Sequence, residues 1–248
     1  MTFQTQGLVI RETEAGEKYR QVTVLTAEYG LLRAFVRRRS GKRDNKSAGT
    51  DLMCYSRLDI SKGRGDYIVN DARPLRRFTW SPADVSAVYL AMYFCQLAEL
   101  LVTDTGHTGE CLRLLMNALY LLSQGSRSQP QLKATVELRL LSLCGYLPDL
   151  TGCAGCGAYE APQMAFLPSE GCILCENCHR PGSRPAVPLT PDALHAMRHI
   201  VYADFARVFS FRLTGPSLQA LSAASEAYTL STLQEEPKAL SFYKSCAL

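Results

Sequence analysis

The chain has 248 residues, of which 47% are hydrophobic and 20% are charged, and its formal net charge is +4. This composition is typical of a soluble globular protein that buries a core. The longest apolar stretch, residues 87–102, contains Gln96 and Glu99 and is too short and too polar for a membrane span. The N-terminus has no basic and then apolar leader, so we expect a cytoplasmic protein without membrane association.

The charge is distributed unevenly along the chain. Residues 1–80 carry 16 Lys and Arg against 9 Asp and Glu, whereas residues 81–248 carry 11 against 14. A basic region next to a slightly acidic one indicates that the N-terminal part contacts a polyanion.

Residues 1–80 are predicted to form a small β-barrel. Period-two alternation and β-branched residues indicate strands, and glycine-containing turns separate them. The predicted strands are Thr5–Ile10, Tyr19–Thr26, Leu31–Arg38, Leu52–Ile60 and Tyr67–Leu75, with a polar loop at Ser40–Asp51. Five short strands in succession favour an OB-fold, a five-stranded barrel that binds nucleic acids in many proteins.

The third of these strands carries the main indication of nucleic-acid binding. From Leu31 to Arg39, cations and one aromatic ring alternate with apolar residues, so the two sets face opposite sides of the strand. Arginines contact phosphates, and aromatic rings stack on unpaired bases. A single surface cation usually serves only solubility, so the prediction depends on the cluster. The predicted DNA-binding residues are Arg33, Phe35, Arg37, Arg38, Arg39, Lys42, Arg43, Lys46, Arg73, Arg76 and Arg77.

From Ser81 the hydrophobic period becomes helical. Helices are predicted from Ser81 to about Val102, from about Thr108, from Gln129 to Cys144, from Thr190 to about Tyr202 and from Ser217 to about Leu233. The predicted fold class is therefore α+β with several domains. An OB-fold domain at 1–80 precedes a helical domain at 81–248, which contains an insert at about 150–182.

The insert contains two CxxC pairs, Cys153/Cys156 and Cys175/Cys178, with 18 residues between them. Each pair can present two thiolates to one ion, and the spacing is that of a zinc ribbon. Four thiolates complete the tetrahedral sphere of one Zn²⁺ and leave no position for substrate, so the predicted zinc is structural.

Two further side chains leave the choice of ligands open. Cys172 precedes Cys175 by three residues and could replace a ligand, and His179 is a nearby fifth candidate. We prefer Cys175 and Cys178, because Gly171 and Cys172 form the entry turn. A redox role for either pair is less favoured, since no βαβ context surrounds them.

The sequence gives little indication of an active site. It contains no phosphate-binding GxxxxGK[ST], no GxSxG and no HExxH motif. His195 and His199 stand four apart, but no acid accompanies them as a further ligand. We therefore predict no catalytic residues and expect that the protein is not an enzyme.

With barrel, helices and ribbon in this order, the chain resembles the bacterial recombination mediator RecO family over its whole length, in particular the Deinococcus type. The resemblance rests on residues 7–10, 26–31, 141–148 and 240–243 and on the cysteine segment 153–178. Family members usually have Gly-Gly before the last CxxC, and Cys172 replaces the second glycine here. Not all members keep the cysteines, which implies that the zinc supports the fold.

The resemblance implies a DNA repair and recombination protein that binds single- and double-stranded DNA and anneals complementary strands. It also implies cooperation with RecR in placing RecA on strands covered by single-strand binding protein, close to the nucleoid. The acidic tail of single-strand binding protein would need cations beside an apolar pocket, and Lys133 and Arg139 are candidates. Two other classes remain open, an RNA-binding protein of transcription or translation and a thiol oxidoreductase.

Overall fold

The computed structural model describes residues 2–37, 48–63, 65–81, 84–103, 106–180, 182 and 184–246. The chain divides into two compact units, Met1–Gln124 with Phe242–Leu248 and Gly125–Ser241. Five of the predicted DNA-binding residues lie outside the described residues, namely Arg38, Arg39, Lys42, Arg43 and Lys46.

The first unit contains a closed five-stranded barrel. Its strands are β1 (Thr2–Ala15), β2 (Tyr19–Thr26), β3 (Gly30–Arg37), β4 (Cys54–Lys62) and β5 (Tyr67–Arg77). They follow the order β1-β2-β3-β5-β4, and β4 pairs with β1 to close the sheet. This confirms the predicted five-stranded OB-like architecture.

Alternating side chains fill the barrel. Inward residues from all five strands form one apolar cluster, in which Val24, Ala34 and Leu58 are fully buried. Strand β1 is longer than predicted because its first half pairs with β4 and its second half with β2. The register shift between Val9 and Arg11 is the bulge that lets one strand serve both partners.

Helices α1 (Val85–Leu101) and α2 (Thr108–Ser123) belong to the barrel unit. Helix α1 begins four residues later than predicted, and the Asp84 side chain caps it by accepting from the Ala87 amide at 3.1 Å. The Thr108 hydroxyl donates to the Ala27 carbonyl at 2.8 Å and ties α2 to the turn after β2.

The second unit combines helices with a small sheet. Its helices are α3 (Gln129–Leu143), α4 (Pro191–Tyr202) and α5 (Gly215–Leu233), and its strands are β6 (Asp149–Cys153), β7 (Met164–Leu167), β8 (Cys172–Cys175) and β9 (Val187–Leu189). The strands follow the order β6-β8-β7-β9. A last helix, α6 (Lys238–Cys246), was not predicted. No helix in the described parts of the chain is both long and apolar enough to cross a membrane.

Helix α4 anchors the small sheet. The Arg198 guanidinium donates from Nε to the Leu150 carbonyl at 2.8 Å and from Nη2 to the Tyr159 carbonyl at 2.7 Å. The same group lies 3.8 Å from the centre of the Tyr159 ring. The Leu150 amide donates to the Tyr202 hydroxyl at 3.0 Å, so two residues of α4 hold strand β6.

A buried ion network joins α3 and α5. The Lys133 ammonium, whose side chain is 2% exposed, lies 2.9 Å from both Glu137 and Glu226, and the Ser225 hydroxyl donates to Glu137 at 2.7 Å. Burial lowers the pKa of Lys133, but the two carboxylates outweigh burial and raise the pKa above its usual value. The stabilisation is therefore present at neutral pH and is lost only as pH rises through that raised pKa.

We predict that Lys133→Met destabilises the protein by about 3–5 kcal/mol, because it leaves the Glu137 carboxylate buried without its cation. The double variant Lys133→Met/Glu137→Met should recover most of this loss. Urea unfolding measures both, with Lys238→Met on the exposed start of α6 as the control. Equal stability of the single and double variants would contradict the prediction.

Candidate nucleic-acid face and metal centre

Strand β3 presents cations outward, in agreement with the predicted alternation. Arg33 and Arg37 are exposed and Phe35 is half-buried, whereas the residues between them point into the barrel core. The register with β2 places Tyr19 opposite Arg37 and Gln21 opposite Phe35. The Tyr19 and Phe35 rings meet edge to face, with centroids 6.4 Å apart.

The neighbouring strand β5 extends this surface. Phe35 pairs in parallel with Ile68, whose side chain is 37% exposed. Tyr19, Phe35 and Ile68 thus form an apolar strip across three strands, and Arg33 and Arg37 flank it. We call these five residues the β3 face. An apolar and aromatic strip with adjacent guanidinium groups suits bases that stack while their phosphates are neutralised.

The three cations of β5 are placed differently. Arg77 forms an ion pair with Asp51, and the Arg76 guanidinium lies 4.4 Å from the centre of the Tyr120 ring. Arg73 is exposed and pairs across the strands with Arg57 of β4, not with a residue of β3. Their role in DNA binding stays a prediction.

Sequence reasoning did not single out Arg57. It is exposed on β4 between the buried residues Ser56 and Leu58. The alternation of this strand is visible in the sequence and places Arg57 on the outside. That Arg57 lies directly opposite Arg73 is apparent only from the strand register.

The structure brings the four predicted cysteines together. The sulfurs of Cys153, Cys156, Cys175 and Cys178 all lie within 4.8 Å of one another. The Cys175 sulfur lies 3.7 Å from those of Cys153 and Cys156. Four sulfurs at about 2.3 Å from one tetrahedral zinc ion would be about 3.8 Å apart, so the cluster has the dimensions of a metal site.

Backbone geometry shapes both cysteine turns. The Gly157 amide donates to the Cys153 carbonyl at 2.7 Å, and the Cys178 amide donates to the Cys175 carbonyl at 3.0 Å. A Cβ atom on Gly155 would lie 2.8 Å from the Cys178 sulfur, so the close approach of the two turns requires glycine at this position.

Hydrogen bonds shift the pKa values of Cys153 and Cys178 in opposite directions. Burial raises the pKa of Cys153, but backbone amides, that of Cys175 foremost, lower it to about 6. Hydrogen bonding to the neighbouring cysteines raises the pKa of Cys178 to about 12. One thiolate therefore forms readily, whereas a full set needs the positive charge of a bound metal.

The other ligand candidates lie outside this cluster. Cys172 pairs with Leu167 at the opposite end of β8, and the His179 ring lies 3.4 Å from the Arg184 carbonyl. On α4, the His195 ring lies 3.3 Å from Glu160 and the His199 ring 2.8 Å from the Arg207 carbonyl. The four cysteines are the metal-ligating group that the described residues form.

The proposed rim residues for an acidic tail have other partners. The Lys133 ammonium is bound by two buried or half-buried glutamates. The Arg139 guanidinium donates to the carbonyls of Ile200 and Val201, at 3.2 and 2.6 Å. The rim hypothesis therefore gains no support from the geometry.

Comparison with known proteins agrees with this architecture. A family model described as recombination protein O N terminal matches residues 1–78, and one described as recombination protein O C terminal matches residues 82–241. The chain therefore belongs to the RecO family of DNA repair and recombination proteins, as its sequence features predicted.

Relatives named DNA repair protein RecO match almost the whole chain. The protein of Acetivibrio thermocellus is 28% identical over 98% of this chain and 96% of its own length. That of Dehalococcoides mccartyi strain CBDB1 is 26% identical over 99% and 96%, and that of Roseiflexus sp. strain RS-1 is 30% identical over 97% and 84%.

We predict that Cys175→Ser abolishes stoichiometric metal binding, because Cys175 is 2% exposed and lies next to two other sulfurs of the cluster. Cys172→Ser is the matched control and should keep the metal, since it lies outside the cluster. Native mass spectrometry with and without a chelator measures the bound ion. Loss of the metal in Cys172→Ser, or its retention in Cys175→Ser, would contradict the assignment.

Proposed function

We propose that the protein binds single- and double-stranded DNA through the β3 face and anneals complementary strands. In this role it works with RecR to help place RecA on strands covered by single-strand binding protein, in the cytoplasm beside the nucleoid. The family membership supports the repair role, and the names of the relatives agree with it.

One observation carries the binding proposal. On the β3 face, Arg33 and Arg37 are exposed on either side of the half-buried Phe35, which also contacts Tyr19. Elsewhere on the barrel, Arg20 is buried and paired with Glu12, and Arg77 is paired with Asp51. Cations with carboxylate partners contribute less to phosphate binding. Among the described residues Arg33 and Arg37 have no carboxylate partner and also flank aromatic rings in contact, so the β3 face is favoured.

The same surface can promote annealing without making or breaking a covalent bond. Two DNA strands repel each other through their phosphates, and arginines that neutralise some of these charges lower the repulsion. Stacking on Phe35 and Tyr19 would hold bases unpaired and accessible to a complementary strand. Neither step needs a nucleotide cofactor or a catalytic group.

We propose a structural Zn²⁺ in the four-cysteine cluster. Thiolate ligands in a tetrahedral set favour zinc over hard cations such as Mg²⁺. The ion would fix strands β6 and β8 at Cys153 and Cys175, both almost completely buried. When bound, it supplies the positive charge that holds four thiolates together.

Charge reversal on the β3 face tests the proposal. Arg33→Glu/Arg37→Glu should weaken oligonucleotide binding at least about tenfold and reduce the salt slope by about 2, because about 0.9 counterions are released per phosphate contact. Annealing of complementary oligonucleotides should slow in parallel. Fluorescence anisotropy at several salt concentrations and a quenching assay measure the two effects.

The matched control is Arg212→Glu, which reverses the charge of an exposed arginine in the second unit and should keep both activities. Unchanged binding and annealing in Arg33→Glu/Arg37→Glu would exclude the β3 face as the DNA site. Tighter binding of RNA than of DNA oligonucleotides by the unaltered protein would favour a role in transcription or translation.

Phe35→Leu separates stacking from charge. Leucine keeps the half-buried packing on β3 but removes the ring, so single-strand affinity should fall by about 1–3 kcal/mol while duplex affinity changes less. Phe242→Leu, at an exposed ring that is not part of the β3 face, is the control. Equal losses for single and double strands would show that Phe35 does not stack on bases.

A further inference from the structure

A second side of the barrel carries cations that the β3 face does not include. Strand register places Gln6 of β1 opposite Arg57 of β4, and Arg57 opposite Arg73 of β5. All three side chains are exposed, so an amide and two guanidinium groups form one row across three strands. We call these three residues the β4 row.

The Arg57–Arg73 pair places two like charges directly opposite each other on adjacent strands. Like charges directly opposite each other on adjacent strands destabilise a sheet. Within the described residues, neither guanidinium takes part in an ion pair, although Asp59 and Asp71 form the next outward pair along the same strands. A repulsive pair of this kind is compensated when an anion lies between the two groups.

Barrel topology separates the β4 row from the β3 face. The neighbours of β3 in the closed sheet are β2 and β5, so β1 and β4 are the strands farthest from it around the barrel. Gln6 and Arg57 lie on these two strands and therefore point away from β3. Arg73 shares β5 with Ile68 of the β3 face but stands five residues further along, roughly 15 Å on an extended strand. A polymer bound along one side leaves the other side accessible.

A groove adjoins the β4 row. It has a volume of about 360 Å³, and Gln4, Gln6, Tyr55, Arg57, Glu28 and Leu112 are among the residues that line it. The Tyr55 hydroxyl donates to the Gln6 side-chain carbonyl at 2.9 Å. The Glu28 carboxylate disfavours phosphate within the groove, so phosphates belong on Arg57 and Arg73, with a sugar or base beside Tyr55.

We propose that the β4 row binds the phosphates of a second polynucleotide segment while the β3 face holds the first. This inference rests on the proposed DNA-binding function and adds bivalency to it. Two segments held by one protein are at a high effective concentration, which accelerates their encounter without any further contact. Strand annealing would then gain from both sides of the barrel.

The test uses two non-complementary dT30 oligonucleotides, one with a donor dye and one with an acceptor dye, mixed with the full-length protein. Energy transfer reports two segments on one particle, and anisotropy reports binding of the first. Arg57→Gln/Arg73→Gln should weaken the second binding event about tenfold and abolish the transfer, because two phosphate contacts are lost. The first binding event should persist, and thermal unfolding should occur at the same or a higher temperature, because the repulsive pair is gone.

The matched variant is Arg33→Gln/Arg37→Gln, which should weaken the first binding event instead. Energy transfer that persists in Arg57→Gln/Arg73→Gln would overturn the inference while leaving the proposed function intact. The inference would also be overturned if the protein bound an acidic peptide through Gln6, Arg57 and Arg73 and DNA did not displace that peptide. If the unaltered protein binds no oligonucleotide at low salt, the proposed function itself fails.

Discussion

The β3 face depends on closure of the barrel by a very short parallel ladder between β3 and β5. Within the described residues, β3 and β5 pair at Ala34–Tyr67 and Phe35–Ile68 alone, whereas the antiparallel neighbours pair along most of their length. This ladder turns β3 into an interior strand with one face in the core. Its other face then must point to solvent, which is why Arg33 and Arg37 are exposed at a fixed spacing.

Closure also explains why one small domain can offer two basic surfaces. An open sheet of this size would bury one face and expose the other, whereas a barrel exposes outward side chains around its whole circumference. The β3 face combines rings with cations, and the β4 row combines cations with an amide. The two surfaces differ in chemistry because the β3 face contains two aromatic side chains in contact with each other, Tyr19 and Phe35, whereas the three residues of the β4 row are not aromatic.

Local patterns predicted much of this architecture. Alternation in β3, the start of α4 at Thr190 and the spacing of the four cysteines are each set by neighbouring residues, and the structure agrees with them. Contacts between distant residues could not be predicted. Lys133 and Glu137 stand four apart, as in many exposed helical pairs, and only Glu226 and Ser225 on α5 show that the pair is buried. Likewise, the partner of Arg57 depends on strand register.

The two sheets differ in whether they have edges. Every barrel strand has two neighbours, so within the described residues the main chain is open to an additional strand chiefly beside the short β3–β5 ladder. The small sheet ends in β6 and β9, and Pro188 removes one amide donor from the three-residue strand β9. Partners that dock on the barrel away from that ladder must therefore read side chains, which makes recognition there sensitive to single substitutions and to ionic strength.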